Sequence, residues 1–414
     1  MDKIRLGLVG CGGMGMRHLH GLKELSQTPF CNVELVAVCD IDRDSAEHGA
    51  ADAEDLLGTR PEVYTGLAEM AAGVCDLTAV DVVIDPSYHE KVVCQALDLG
   101  LHVMVEKPLA VTIKGCQTMI EAAKRNDRQL SVAENYRRDP SARLVHHLLA
   151  EGAIGSPYMA IYHAMSPGDE IFITPWRHLK DRGGLLLDMG VHFTDLIRYQ
   201  LGDVAEVYGD ARLVEPVRRK SATLNSPYRY YQDRFKKMAE EVPATAEDMS
   251  VALLKMESGV TVSWIVGSGG HGSCGGNGIW GDRGVVEGFG TRGGSTAIKR
   301  VGQEEVGFAE LVAAADDFEL EPLAAHLFPN RMATGDSAVD WKLLALEYFE
   351  LAEAVLGDRN LEVDGVEGMK DVAVINAILE SSRAGRAVKM SEVESGQLYE
   401  YQAEIDAAMG EVEK

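Results

Sequence analysis

The chain has 414 residues, 46% of them hydrophobic and 25% charged, and its 65 acidic and 40 basic side chains give a net charge of −25. That length points to two domains, because single cores rarely grow past about 250–300 residues, and the negative field makes nucleic acid an unexpected partner while tolerating a small neutral ligand. No apolar run approaches the ~20 residues of a membrane span, and seven scattered cysteines without a CxxC pair fit free thiols in a reducing cytosol, so a cytoplasmic protein is expected with no leader before its first strand.

"IRLGLVG" reads as a short apolar strand that begins at residue 4 and runs into a glycine turn and an amphipathic helix. Gly10, Gly12 and Gly15 have the G-x-G-x-x-G spacing, with Gly13 and Met14 between them. In a dinucleotide site the first glycine makes the tight turn and the second admits the pyrophosphate. The third packs the helix closely on the strand, so that its N-terminus faces the phosphates. The next strand, "VELVAVCD", ends in Asp40, 25 residues past Gly15. A carboxylate there accepts hydrogen bonds from the ribose hydroxyls and repels a 2′-phosphate, which favours NAD over NADP, with Arg43 close enough to soften the preference.

"AVDVVID", "LHVMVEKP" and "QLSVAEN", the last counted as a sixth strand, alternate with helical segments. Near-continuous apolar strands separated by helices imply a parallel sheet covered on both faces, with ligands bound beyond its carboxyl ends. Pro86, Ser87, His89, Glu106 and Lys107 all fall at that edge. After residue 135 the character changes. "GLLLDMGVHFTDLIRYQLG" reads as an amphipathic helix closed by Gly202, with Asp188 and His192 one turn apart on the same face. A carboxylate so placed would hold the imidazole tautomer and raise its basicity.

Taken in order, the motifs GCGGMG, VCD, PSYH, EKP and GGLLLDMGVH resemble those of the Gfo/Idh/MocA oxidoreductase family across nearly the whole chain. The resemblance implies an NAD-binding Rossmann domain over 1–135 and an α+β domain over 136–414 with a large, mainly antiparallel open sheet. It also implies a catalytic lysine, Lys107, with a cis peptide before Pro108, and places Asp188 and His192 beside it. Glu106 would orient Lys107 or touch the cofactor. Tyr136, Arg137, Trp176 and Arg177 form an aromatic, donor-rich set suited, with His192, to contact a sugar or cyclic polyol. The outer face of the second sheet is expected to make a homodimer or homotetramer.

Alternating segments "EVYGDARLV", "YMAIYHAM", "GIWGDRGVVEGFG" and a hairpin turning at Glu257-Ser258-Gly259 supply the second sheet. The glycine-rich stretch 267–278 reads as a flexible connection, and its His271 and Cys274 lack ligand-like neighbours, so no metal is expected. The segment 214–246, helical around "YRYYQDRFKKMAEE", is longer than the plain family pattern needs and is expected to modify the pocket or the assembly. Helices within about 338–390 are expected to pack back near the first domain. The leading expectation is an NAD-dependent dehydrogenase acting on a sugar, glycoside or polyol hydroxyl. Alternatives are a redox-neutral enzyme that retains NAD and oxidises a sugar transiently, for example to cleave a glycoside, and a nucleotide-sensing regulator without chemistry.

Overall fold

A computed structural model describes residues 3–412, apart from 225, 227–228, 289–291 and 316. The first unit alternates β1 (Ile4–Val9), α1 (Gly13–Ser26), β2 (Val33–Cys39), α2 (Arg43–Leu57), β3 (Glu62–Tyr64), α3 (Leu67–Gly73), β4 (Ala79–Val82), α4 (His89–Asp98), β5 (His102–Glu106), α5 (Ile113–Asn126) and β6 (Leu130–Ala133). All the strands pair in parallel, in the order β3-β2-β1-β4-β5-β6, so the order reverses at β1 and opens a crevice beside it. β4 to β6 are buried throughout apart from His102, as a sheet covered on both faces requires. β3 is three residues long and has no buried position, so no apolar run marks it in the sequence.

The chain then passes through α6 (Pro140–Ala150) to β7 (Pro157–Ser166), α7 (Gly184–Leu201), β8 (Val204–Arg212), β9 (Val217–Arg219), α8 (Arg229–Lys237), β10 (Glu241–Pro243), β11 (Met249–Met256) and β12 (Thr261–Ser268). β13 (Cys274–Gly281), β14 (Gly284–Glu287), β15 (Ala297–Arg300), β16 (Val306–Gly307), α9 (Phe308–Ala314), α10 (Pro322–Leu327), α11 (Val339–Leu356), α12 (Gly365–Ala384), β17 (Val388–Lys389), α13 (Met390–Glu394) and α14 (Glu400–Val412) complete it. Nine strands form an open sheet in the order β16-β15-β14-β13-β7-β12-β11-β8-β17, antiparallel except for the β7–β12 pair. The β11–β12 hairpin turns at Gly259, whose φ of +89° suits glycine. Phe289, Gly290 and Tyr228, at the ends of expected elements, lie outside the described residues.

The flexible connection expected at 267–278 is largely ordered. Seven of the twelve residues of the glycine-rich stretch 267–278 are strand: Gly267 and Ser268 end β12, and β13 starts at Cys274 and pairs with β7 from Cys274↔Met165 to Gly278↔Ile161. A ladder is made by backbone groups, so an existing neighbour can order a strand that has few side chains to advertise it. α7 and α12 cover the inner face of this sheet around the buried Trp264. α11 crosses back to pack on α1, with Leu344 against Gly21. Among the described residues no helix is long and apolar enough to cross a membrane.

β9 and β10 form the stem of an excursion that carries α8. Arg218 anchors this stem: it is fully buried and donates to Asp248 at 2.6 Å and to the carbonyls of Ser268 and Gly168 at 2.6 and 3.1 Å. Removing one partner of a buried pair strands the other charge. Arg218→Ala is therefore expected to lower the unfolding free energy by about 3–5 kcal/mol, measured by urea titration.

Candidate active site

The glycine turn has the geometry that a dinucleotide needs. Gly10 has φ +103°, and a Cβ there would lie 2.2 Å from the Val83 carbonyl. A Cβ on Gly15 would lie 2.2 Å from the Gly10 carbonyl, so α1 is seated directly on the turn. Asp40 follows β2, and its carboxylate accepts from the backbone of Cys11 at 2.9 Å and of Asp42 at 3.0 Å, which aims it at the glycine loop. Arg43 faces solvent and pairs with Glu47 at 3.4 Å, leaving Asp40 to meet a 2′-substituent. These residues fit NAD. Two tyrosines of α8 also lie on the turn: the Tyr230 hydroxyl is 3.3 Å from where a Gly12 Cβ would be, and a Tyr231 ring carbon 2.2 Å from that of Gly13.

At the neighbouring strand ends the structure separates residues that the sequence groups together. Pro86 is buried, and Ser87 bonds Asp85 through its N–H at 3.0 Å and its hydroxyl at 2.8 Å. His89 is fully buried, with ring nitrogens 2.9 Å from the Pro108 carbonyl and 3.2 Å from that of Ile84. It staples one loop to the next and presents no face to the crevice, contrary to its expected cofactor contact. Glu106 does not orient Lys107 either. Its carboxylate meets His18 Nε2 at 3.0 Å beneath the sheet edge.

Lys107 precedes a cis peptide to Pro108 and reaches across to α7. Its ammonium donates to the Asp188 backbone carbonyl at 2.9 Å and to the carboxylate at 3.0 Å. The other Asp188 oxygen accepts from Arg177 at 2.7 Å, and that guanidinium lies over the Trp176 ring at 4.3 Å. Burial raises the Asp188 carboxyl, but Arg177 and Lys107 outweigh it and hold the group well below the usual carboxylate range. Asp188 therefore does not serve His192, although the two share a helix.

Nδ1 of His192 lies instead 2.8 Å from Glu134, just past β6. The Tyr136 ring stacks on the imidazole with centroids 4.1 Å apart and planes within 5°, and its hydroxyl receives Arg292 at 3.4 Å. Burial, then Lys107 and Arg292, hold His192 well below the ordinary histidine range, the reverse of the expected rise. Arg137 is 5% exposed, with its guanidinium closed on Asp195, which speaks against a substrate contact. Glu134 and Arg292 carry no sequence signal of their own. The one available hint was that "AEN" ends a parallel strand, where ligand-facing residues collect. Among the described residues no group of three or more His, Cys, Asp or Glu could hold a metal ion.

A parallel sheet with a glycine turn at its switch point has the architecture of a dinucleotide-binding Rossmann fold. The chain belongs to the Gfo/Idh/MocA family: residues 4–134 match the oxidoreductase family's NAD-binding Rossmann fold, and 142–293 match its C-terminal domain. It is 27% identical over 261 residues to D-apiose dehydrogenase of Paraburkholderia graminis, covering 63% of this chain and 60% of that one. It is 33% identical over 231 residues to inositol 2-dehydrogenase of Burkholderia ambifaria, covering 54% and 62%. The matches thus span about 60% of the length of these curated relatives. Levoglucosan dehydrogenase crystallised with NADH and L-sorbose is similar with a TM-score of 0.75 at 20% identity, over 94% of this chain and 99% of that one. An NAD-binding oxidoreductase from Klebsiella pneumoniae gives 0.73 at 23%, over the same shares. At these identities the likeness to solved structures is one of fold.

The placement of Asp40 yields a test of cofactor choice. Asp40→Ser is expected to raise the affinity for NADP relative to NAD by about tenfold, or ~1.4 kcal/mol, read from equilibrium binding of the two reduced forms by fluorescence.

Proposed function

We propose that this chain is an NAD-dependent dehydrogenase that oxidises a secondary hydroxyl of a sugar, glycoside or cyclic polyol. The observation that carries the reading is the convergence of Lys107, Asp188 and His192 beyond the carboxyl edge of the six-stranded sheet, beside the NAD-binding glycine turn. Bound NAD supplies the hydride acceptor. The chain's residues manage the proton and the alignment. Burial with Lys107 and Arg292 keeps His192 unprotonated at neutral pH, so its free nitrogen can take the substrate hydroxyl proton. Lys107 donates a hydrogen bond to the same oxygen and stabilises the charge that develops there, while Asp188 fixes the lysine. Trp176, half-buried, offers an apolar face for a carbohydrate ring. The names of the curated relatives, one an apiose and one an inositol dehydrogenase, support the substrate class.

A cytoplasmic setting agrees with seven free cysteines. A homo-oligomer built on the nine-stranded sheet agrees with the exposed outer-face residues Tyr208 (53%), Val251 (45%) and Leu253 (51%).

The test is absorbance at 340 nm with NAD and a panel of inositols, aldoses and glycosides. Wild-type protein should reduce NAD with at least one of them. Lys107→Ala and His192→Ala should each lower kcat/KM by about 10²–10⁴-fold while still binding NADH. Unchanged turnover in both variants would overturn the assignment.

A further inference from the structure

We propose that Glu134 is the positioning residue of His192, fixing the ring tautomer so that Nε2 is the free base that faces substrate. The inference rests on the role given to His192 above. Glu134 is 2% exposed, and one carboxylate oxygen accepts the Tyr136 N–H at 3.1 Å while meeting His192 Nδ1 at 2.8 Å. With Tyr136 stacked flat on the imidazole, the ring is held in its plane from one side and at its edge from the other. A neutral imidazole has a single N–H. An ionised carboxylate at Nδ1 accepts from it, which puts the proton on Nδ1 and leaves the Nε2 lone pair open. A protonated Glu134 would donate to Nδ1, drive the N–H to Nε2, and leave no base.

Asp188 is not available for this task, since both its oxygens are engaged by Lys107 and Arg177. Burial pushes the Glu134 carboxyl up to about 7, with Lys107 and Arg137 opposing and Glu106 adding to the rise. Glu347 also bears on Glu134, and Arg292 and Asp188 on His192. The tautomer therefore changes within the neutral range, the wrong one at low pH and the working one above it.

The pH dependence of kcat should show an acid limb centred near 7 in the wild type. In Glu134→Gln that limb should vanish and kcat fall about 100-fold with KM little changed, and Glu134→Asp should restore part of the rate. A limb that persists in the Gln variant overturns the proposal, as does a normal kcat in that variant while His192→Ala is dead. The ¹⁵N shifts of His192 in the whole protein with NADH, identified by their loss in His192→Gln, need no substrate. A tautomer change with pH that Glu134→Gln abolishes supports the role of Glu134 even if no polyol is oxidised, so the two readings fail separately.

Arg218 anchors the base of the excursion between β9 and β10, and α8 at its tip sets Tyr230 and Tyr231 on the glycine turn. The geometry points to α8 as a gate on dinucleotide exchange. Tyr230 and Tyr231 sit on Gly12 and Gly13, the positions whose missing side chains let a pyrophosphate approach the backbone. The tip is knit together locally, by Arg234 donating to the Tyr230 hydroxyl at 3.3 Å and by Lys220 over the Phe235 ring at 4.9 Å. Arg17 and Arg234 place positive charge beside Tyr231, next to the turn that an anionic cofactor would approach. Passage of the cofactor then requires the tip to lift while the stem stays anchored, which slows both entry and release.

Stopped-flow fluorescence of NADH on the full chain measures both rates. Replacing both tyrosines by Ala should raise the association and dissociation rates by about tenfold each, whereas Phe at both positions keeps the rings and should leave the rates near wild type. Rates unchanged in the Ala pair would overturn the gate, as would rates in the Phe pair as fast as in the Ala pair.

Discussion

The Lys107–Asp188 ion pair is the constraint on which the rest of the site depends, because it joins the end of a strand in the first sheet to a helix packed on the second. Removing two charges from water is costly unless further hydrogen bonds satisfy them. Here Lys107 also donates to the Asp188 carbonyl, and Arg177 completes the carboxylate while holding Thr174 and lying over Trp176. The docking of the domains, the orientation of the lysine and the placement of the aromatic rim are thus one arrangement. Since Asp188 is committed to it, His192 takes its partner from another element, and Glu134 stands within reach because α7 packs on the turn at Tyr136–Arg138 that follows β6.

Behind the site lies a second buried polar cluster that decides what Glu106 does. His18 of α1 meets Asp81 of β4 at 2.8 Å and Glu106 of β5 at 3.0 Å, and the Tyr348 hydroxyl of α11 bonds both His18 and Asp81. Burial disfavours charge on His18, yet Asp81 and Glu106 outweigh it and hold the histidine well above its usual range. A cation between two carboxylates, closed by a tyrosine from near the far end of the chain, ties α1, two strands and α11 into one platform. Glu106, the last residue of β5, is thereby turned to His18 while Lys107, just past the strand, reaches α7.

Much of this molecule is legible in its sequence. The period of apolar residues, the three glycines, the acid after β2 and the Glu106-Lys107-Pro108 run are local patterns, and each reports a local requirement: a twice-covered strand, a turn too tight for a Cβ, a strand end at a ligand edge. Lys107, Asp188 and His192 were legible for the same reason, being carried by a strand end and one helix face. β3 was not, since a three-residue edge strand has no buried position to show, nor was the glycine-rich half of β13, whose order comes from β7.

The pairings across elements were decided by tertiary structure. From spacing alone Asp188 belongs with His192, Glu106 with Lys107, and Arg137 and His89 with a ligand. In the folded chain Asp188 holds Lys107, Glu106 holds His18, Arg137 closes on Asp195, and His89 staples two loops. A buried charge or hydrogen-bonding group takes whichever partner best satisfies it, and that partner is supplied by whatever element the fold lays alongside. Sequence determined the elements, the cofactor class and the residue types at the strand ends. Only packing could decide which carboxylate met which base, because the distances that select them run between segments tens to hundreds of residues apart.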